Sequence, residues 1–193
     1  MQLWCDFEPK GPHFEFLLDS ITTTLRSYGV IVNNFYELES QFIDCLNRNS
    51  KLKSWCLGPL CLAEPSKVQP QSDKKPSWVR WLDQKLEQGC SVLYVAFGSQ
   101  AKISSEQLRE IAIGLEESEV NFLWVVRENG WEAIDDDGFG FVERVKNRGM
   151  VVREWVNQRE ILEHECVQGF LSHCGWNLVL ESICAKVPIL GGR

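Results

Sequence analysis

Phe14, Leu17, Leu18, Ile21 and Leu25 recur at helical spacing and predict a first helix, with Gly29 placed to cap its carboxyl end. Val30-Ile31-Val32 then reads as a short β-branched strand. Helical spacing returns from Tyr36 to Leu46, and Trp55-Cys56-Leu57 is a second short strand closed by Gly58-Pro59. Residues 64–76 interrupt this rhythm, being polar, rich in proline and poor in apolar side chains, which is linker composition. Beyond them Val92-Leu93-Tyr94-Val95-Ala96-Phe97 is a continuous apolar run, expected of a strand covered on both faces. Gly98-Ser99 ends it, and Ser104-Ser105-Glu106-Gln107 has capping-box spacing. Leu108, Ile111, Ala112 and Leu115 make the stripe of an amphipathic helix, and Phe122-Leu123-Trp124-Val125-Val126 is the next buried strand. Strand, helix and strand in that order predict a βαβ unit and a parallel sheet. The alternation continues with a helix near 139–147, a strand at 150–153, a helix at 158–164, a strand at 168–172, a helix at 175–185 and a new start at Val187. The expected class is α/β, with a doubly wound third block. The divisions are 1–63, a linker at 64–76, and 77–193.

Composition narrows the chemistry. The 193 residues are 44% hydrophobic and 24% charged, within the globular range. A formal net charge of -7 argues against a protein built to grip nucleic acid. It leaves room for an anionic ligand, because backbone N–H groups can hold a phosphate with few cations. The eight cysteines form no C-x-x-C pair and no zinc-like Cys/His spacing, so no metal is expected, and the thiols read as reduced, small buried hydrophobes, Cys174 included. No apolar run approaches the about 18 residues a membrane span requires, and the start lacks a signal-peptide pattern. A cytoplasmic protein with no membrane span is the resulting expectation.

In a doubly wound sheet, ligands sit beyond the carboxyl ends of the strands. Two such loops carry candidate chemistry: Gly98-Ser99-Gln100, and the turn His173-Cys174-Gly175-Trp176-Asn177 between a strand and a helix. A helix N-terminus offers unpaired N–H groups and the positive end of its dipole, and Gly175 permits close approach, so a diphosphate could dock there. Taken alone, the turn is equally well an ordinary βα connection.

The longer run is more specific. Trp155-Val156-Asn157-Gln158, Ile161-Leu162-Glu163-His164, His173-Cys174-Gly175-Trp176-Asn177 and Glu181 resemble, residue by residue and at the same spacings, the plant secondary product glycosyltransferase box. Phe97-Gly98-Ser99 and the run at 29–39 are also similar to segments of that family. The resemblance implies a GT-B enzyme of two Rossmann-like domains, with a UDP-sugar as donor substrate and no cofactor. Residues 1–63 would be the end of the N-terminal acceptor domain, and 77–193 part of the UDP-sugar-binding domain. It further implies that Trp155 stacks on uracil, that the Val156 backbone pairs with the base, and that Gln158 and Glu181 hold the ribose. His173, the Gly175 turn and Asn177 would hold the diphosphate, Ser99 would reach it from the other loop, and Trp176 would lie against the sugar. The reaction implied is transfer of a hexose, glucose foremost, from UDP to a hydroxyl of a small acceptor.

Some positions depart from the family pattern. Leu178 replaces the Ser or Thr whose hydroxyl meets the phosphate, Asn157 replaces a proline, and Gln168 and Lys186 replace glycines. The family's acidic-Gln pair would follow Gly191-Gly192-Arg193, and its catalytic histidine would precede the matched segment, so no catalytic residue is assigned. His13 follows Gly11-Pro12 and is not taken for that base, nor His164 for a ligand. The expectation is therefore a fragment of the enzyme that does not turn over alone. The competing readings are a non-catalytic nucleotide- or partner-binding regulatory chain and an incomplete gene product.

Overall fold

A computed structural model describes residues 10–63, 75–98, 103–126, 128–135 and 140–192. They belong to two compact units, Met1–Ala63 and Glu64–Arg193. Residues 64–74, most of the expected linker, lie outside the described residues.

In the first unit, helix α1 (Pro12–Arg26) starts with proline at its first turn, where the missing N–H is no loss. Strand β1 (Gly29–Val32) leads through helix α2 (Tyr36–Asn49) to strand β2 (Lys53–Cys56). The two strands pair in parallel from Gly29 opposite Lys53 to Val32 opposite Cys56, which makes a βαβ unit. Gly29 is not the helix cap expected of it: Ser27 caps α1 in an extended conformation. The glycine is required inside β1, where a Cβ would lie 2.4 Å from the Trp55 ring.

The second unit begins with helix α3 (Ser77–Glu87), which periodicity did not announce, and continues with β3 (Val92–Ala96), α4 (Ser105–Glu117) and β4 (Asn121–Val125). Helix α5 (Glu128–Asp135), also unannounced, is followed by α6 (Phe141–Val145), β5 (Gly149–Val152), α7 (Gln158–Leu162), β6 (Val167–Ser172), α8 (Trp176–Ala185) and β7 (Ile189–Gly191). All five strands run parallel in the order β5-β4-β3-β6-β7.

Alternation along β3 sorts the core into two layers. Val92, Tyr94 and Ala96 face a cluster with Trp78, Val79 and Leu82 of α3, Ile161 and Leu162 of α7, and Leu178 of α8. Val95 and Phe97 face the opposite cluster, with Leu108, Ala112 and Leu115 of α4 and with Ile134, Phe141 and Val145. Helices therefore cover both faces, as the continuous apolar strands required. The capping box forms as its spacing predicts: the Gln107 N–H donates to Ser104 Oγ at 3.3 Å, and the Ser104 N–H to Gln107 Oε1 at 3.0 Å. At the other end of α4, Arg148 donates to the carbonyls of Leu115 and Glu116. Lys85 is buried, and among the described residues no carboxylate pairs with it; its ammonium donates to Asn121 Oδ1 at 2.8 Å and the Asn147 carbonyl at 2.9 Å.

Strand order places a particular crevice. From β3 the chain proceeds to β4 and β5 on one side, then returns to lay β6 and β7 on the other. The connections leaving β3 and β6 diverge to opposite faces of the sheet. That is the topological switch point, where open α/β sheets hold ligands.

Candidate functional site

Gly98 and His173 occupy the two sides of the switch point. Gly98 has φ +67, a conformation that L side chains rarely adopt. A Cβ on it would lie 2.6 Å from His173 Cε1, and one on Gly175 would lie 2.7 Å from His173 Nε2. The imidazole thus sits in a slot between two backbones, one from each loop. Gly175 has φ -57, so its requirement is space, not backbone freedom. Ser99, next along the first loop, lies outside the described residues.

The turn after β6 is held open by local bonds. Ser172 is fully buried, and its hydroxyl accepts the Cys174 N–H at 3.3 Å, while its carbonyl accepts the Gly192 N–H at 2.9 Å. Cys174 adopts φ 57, an uncommon conformation for a non-glycine residue, and is exposed. The expectation of uniformly buried cysteines is corrected here: among the seven described cysteines only Cys166 is buried, and Cys45 and Cys174 are exposed. Cys174 follows the turn conformation, which points it away from the core. Helix α8 then begins with Gly175 as its N-cap and no side-chain cap. No acidic residue stands in its first turn, so no carboxylate of that turn offsets the positive end of the helix dipole. Trp176 and Asn177 are exposed on that first turn, whereas Leu178 packs against the core cluster below.

A second group lies beyond β5. Trp155 is 87% exposed, an unusual state for so large an apolar surface, while the next residue, Val156, is 8% exposed and anchors the segment in the core. Asn157 accepts the Glu160 N–H at 3.3 Å and so caps α7, which the proline of the family pattern could not do by side chain. Gln158 opens that helix, and its amide nitrogen donates to Glu181 Oε2 from α8. The same amide's oxygen accepts the Tyr94 hydroxyl at 3.4 Å. Tyr94 is 1% exposed; burial first, and the charge of Glu181 second, raise its pKa, so the hydroxyl keeps its proton. The structure thus brings Gln158 and Glu181 together, and His173 with Gly98 and Gly175. Tyr94 carried no site assignment from sequence, and Gly98 lay in a candidate loop without a role of its own. The one hint for Tyr94 is a hydroxyl inside an otherwise apolar strand, where a buried polar group needs a partner.

His164 lies elsewhere and does structural work. Its Nε2 is 3.4 Å from Asp83 Oδ1 of α3, its Nδ1 accepts the Cys166 N–H at 3.4 Å, and the Cys166 sulfur is 3.2 Å away. The Cys-His-Asp order suggests a nucleophile, but burial pushes the Cys166 thiol up to about 11, the wrong direction for a thiolate. Among the described residues no three His, Cys, Asp or Glu side chains converge as metal ligands, and no helix is long and apolar enough to cross a membrane.

Residues 69–192 match the family described as UDP-glucoronosyl and UDP-glucosyl transferase. UDP-glycosyltransferase 90A1 of Arabidopsis thaliana is 55% identical over 194 residues, spanning 96% of this chain and 39% of that protein. UDP-glycosyltransferase 90A2 of the same plant is 57% identical over 189 residues, spanning 95% and 39%. Among solved structures, UGT2 of Phytolacca americana complexed with UDP-2fluoro-glucose and pterostilbene superposes with a TM-score of 0.76 at 36% identity, over 96% of this chain and 40% of that one. That protein has the GT-B fold, of which this α/β chain covers a part. The chain spans about 39% of the length of these curated relatives.

Proposed function

The chain belongs to the family of UDP-glucoronosyl and UDP-glucosyl transferases, and from that membership we propose that its second unit is a donor site that holds the UDP part of a UDP-sugar. The observation that carries the reading is the Gln158–Glu181 pair, a carboxylate oriented by an amide, beside the exposed Trp155 at the carboxyl edge of a parallel sheet. A carboxylate only accepts hydrogen bonds, which suits the two hydroxyls of a ribose. Trp155 offers its open face to uracil, with the Val156 backbone pairing with the base edge. The diphosphate meets the uncapped head of α8 at Gly175, with His173, Asn177 and Ser99 around it, and Trp176 lies against the sugar. Backbone N–H groups and the helix dipole offset the charge that develops on the departing UDP.

In the whole protein this site serves transfer of a hexose, glucose foremost, to a hydroxyl of a small acceptor. Residues 1–63 belong to the acceptor domain, 64–76 to the linker and 77–193 to the donor domain. Cytosolic residence is part of the proposal, because the described cysteines are free thiols, which a reducing compartment maintains.

Calorimetric titration of the chain with UDP tests the donor site. Saturable binding is expected, and Trp155→Ala should weaken it by the about 1–3 kcal/mol typical of base–aromatic stacking. A folded chain that ignores UDP overturns the proposal.

A further inference from the structure

Tyr94 lies beneath the candidate ribose pair without reaching solvent. It is 1% exposed at the centre of β3, and its ring stacks on Phe170 of the neighbouring strand with centroids 4.8 Å apart. Phenylalanine would fill that space equally well, so the packing does not account for the hydroxyl. A buried hydroxyl without a partner is costly, and among the described residues its partner is the amide oxygen of Gln158 at 3.4 Å. The other end of that amide donates to Glu181. Because a carboxylate accepts only, the NH2 group must face Glu181 and the oxygen must face Tyr94. Both ends of the Gln158 side chain are thereby engaged, one in the core and one at the crevice.

We infer that Tyr94 is a positioning residue for ribose recognition, its hydroxyl holding the Gln158 amide, and through it the Glu181 carboxylate, in the orientation that accepts the ribose diol. Tyr94 touches no part of the nucleotide. It acts through a side chain 64 positions away in sequence, which in turn orients one 23 positions further on. With the hydroxyl gone, Gln158 loses its inner anchor and can swing outward, and Glu181 loses the donor that aims it. The inference rests on the ribose role proposed above for Gln158 and Glu181.

The test compares UDP with 2′,3′-dideoxyuridine diphosphate, which lacks the diol, on wild-type chain and on Tyr94→Phe. Wild type should prefer UDP. In Tyr94→Phe, UDP affinity should fall about three- to tenfold, as expected for one indirect hydrogen bond, while dideoxy-UDP affinity changes less than about twofold. In a Gln158→Ala background, Tyr94→Phe should cause no further loss, because the two act as one unit. Equal weakening of both nucleotides, or none, overturns the positioning role and leaves the donor site standing. A wild type that does not distinguish the nucleotides overturns the ribose reading and this inference together. If Tyr94→Phe does not fold, fluorotyrosine labelling of the three tyrosines gives a second readout, with signals assigned by Tyr28→Phe and Tyr36→Phe. The Tyr94 fluorine signal should move on binding UDP more than on binding dideoxy-UDP, and identical responses overturn the inference.

Discussion

Leu178 stands at the third residue of α8, in its first turn. Its side chain packs against the cluster that contains Tyr94 and Phe170. An apolar residue there supports the helix from below but offers the crevice no hydroxyl. Leu178→Ser should therefore move two properties in opposite directions. Stability falls by about 1–3 kcal/mol through lost apolar burial. UDP affinity rises, because a hydrogen bond to a charged group contributes about 1.5–3 kcal/mol, or roughly ten- to a hundredfold. Urea denaturation and UDP titration of the same variant read the two separately. If affinity stays flat while stability falls, position 178 belongs to the core alone. His173 shows a different dependence at residue scale: its place is set by what Gly98 and Gly175 lack, since a methyl group on either would occupy ring space.

Lys186, at the far end of α8, sits in the left-handed region with φ 60 and ψ 30, where its N–H closes on the carbonyls of Ser182 and Ile183. Glycine adopts that conformation freely, so Lys186→Gly should stabilise the chain by about 0.5–1 kcal/mol with UDP binding unchanged. A lower urea midpoint would contradict this. The regular elements were legible wherever a single period ran unbroken. The β3–α4–β4 unit announced itself because Val92–Phe97 is continuously apolar, Ser104 and Gln107 supply the cap, and the Leu108–Leu115 stripe lies on one face. Helix α3 did not, because Lys85 occupies a position on its buried face, made tolerable only by Asn121 and the Asn147 carbonyl from distant segments. From sequence alone Gly29 reads as a cap, because the close approach of Trp55 depends on strand pairing that no local pattern records. At the site, the box residues were legible as a linear motif, and Tyr94 was not, because its partner lies on another element.

Across the whole molecule, the titrating groups set a pH window for stability. Cys166 is held up to about 11 from an ordinary 9.0, chiefly by burial, and Tyr94 is raised by burial and by Glu181. In both cases the folded chain keeps a proton that the unfolded chain gives up sooner. Their contribution is therefore full below about pH 9 and declines as pH rises toward 11 and beyond. On the acid side Asp83 is lowered, first by its bond from Lys75 and then by His164, Glu116 by Arg144, and Glu106 by its own backbone N–H at the head of α4. Their contribution is present above the usual carboxylate range and is lost as pH falls through the lowered values. Denaturant midpoints against pH should show a plateau between these limits, and Cys166→Ala should flatten the start of the basic decline. An unchanged slope in that variant would assign the decline to other groups. The order β5-β4-β3-β6-β7 has one further consequence, for the time course of folding. Neighbouring strands β3 and β4 can pair early, since only one helix separates them, but β6 must return across two further helix–strand excursions to dock on the free side of β3. Tyr94, Gln158 and Glu181 meet only after that docking, as do Gly98 and His173. A nucleotide that recognises those groups therefore meets the chain after the long loop between β3 and β6 has closed, and acts as a late lock on folding and not as a template for it.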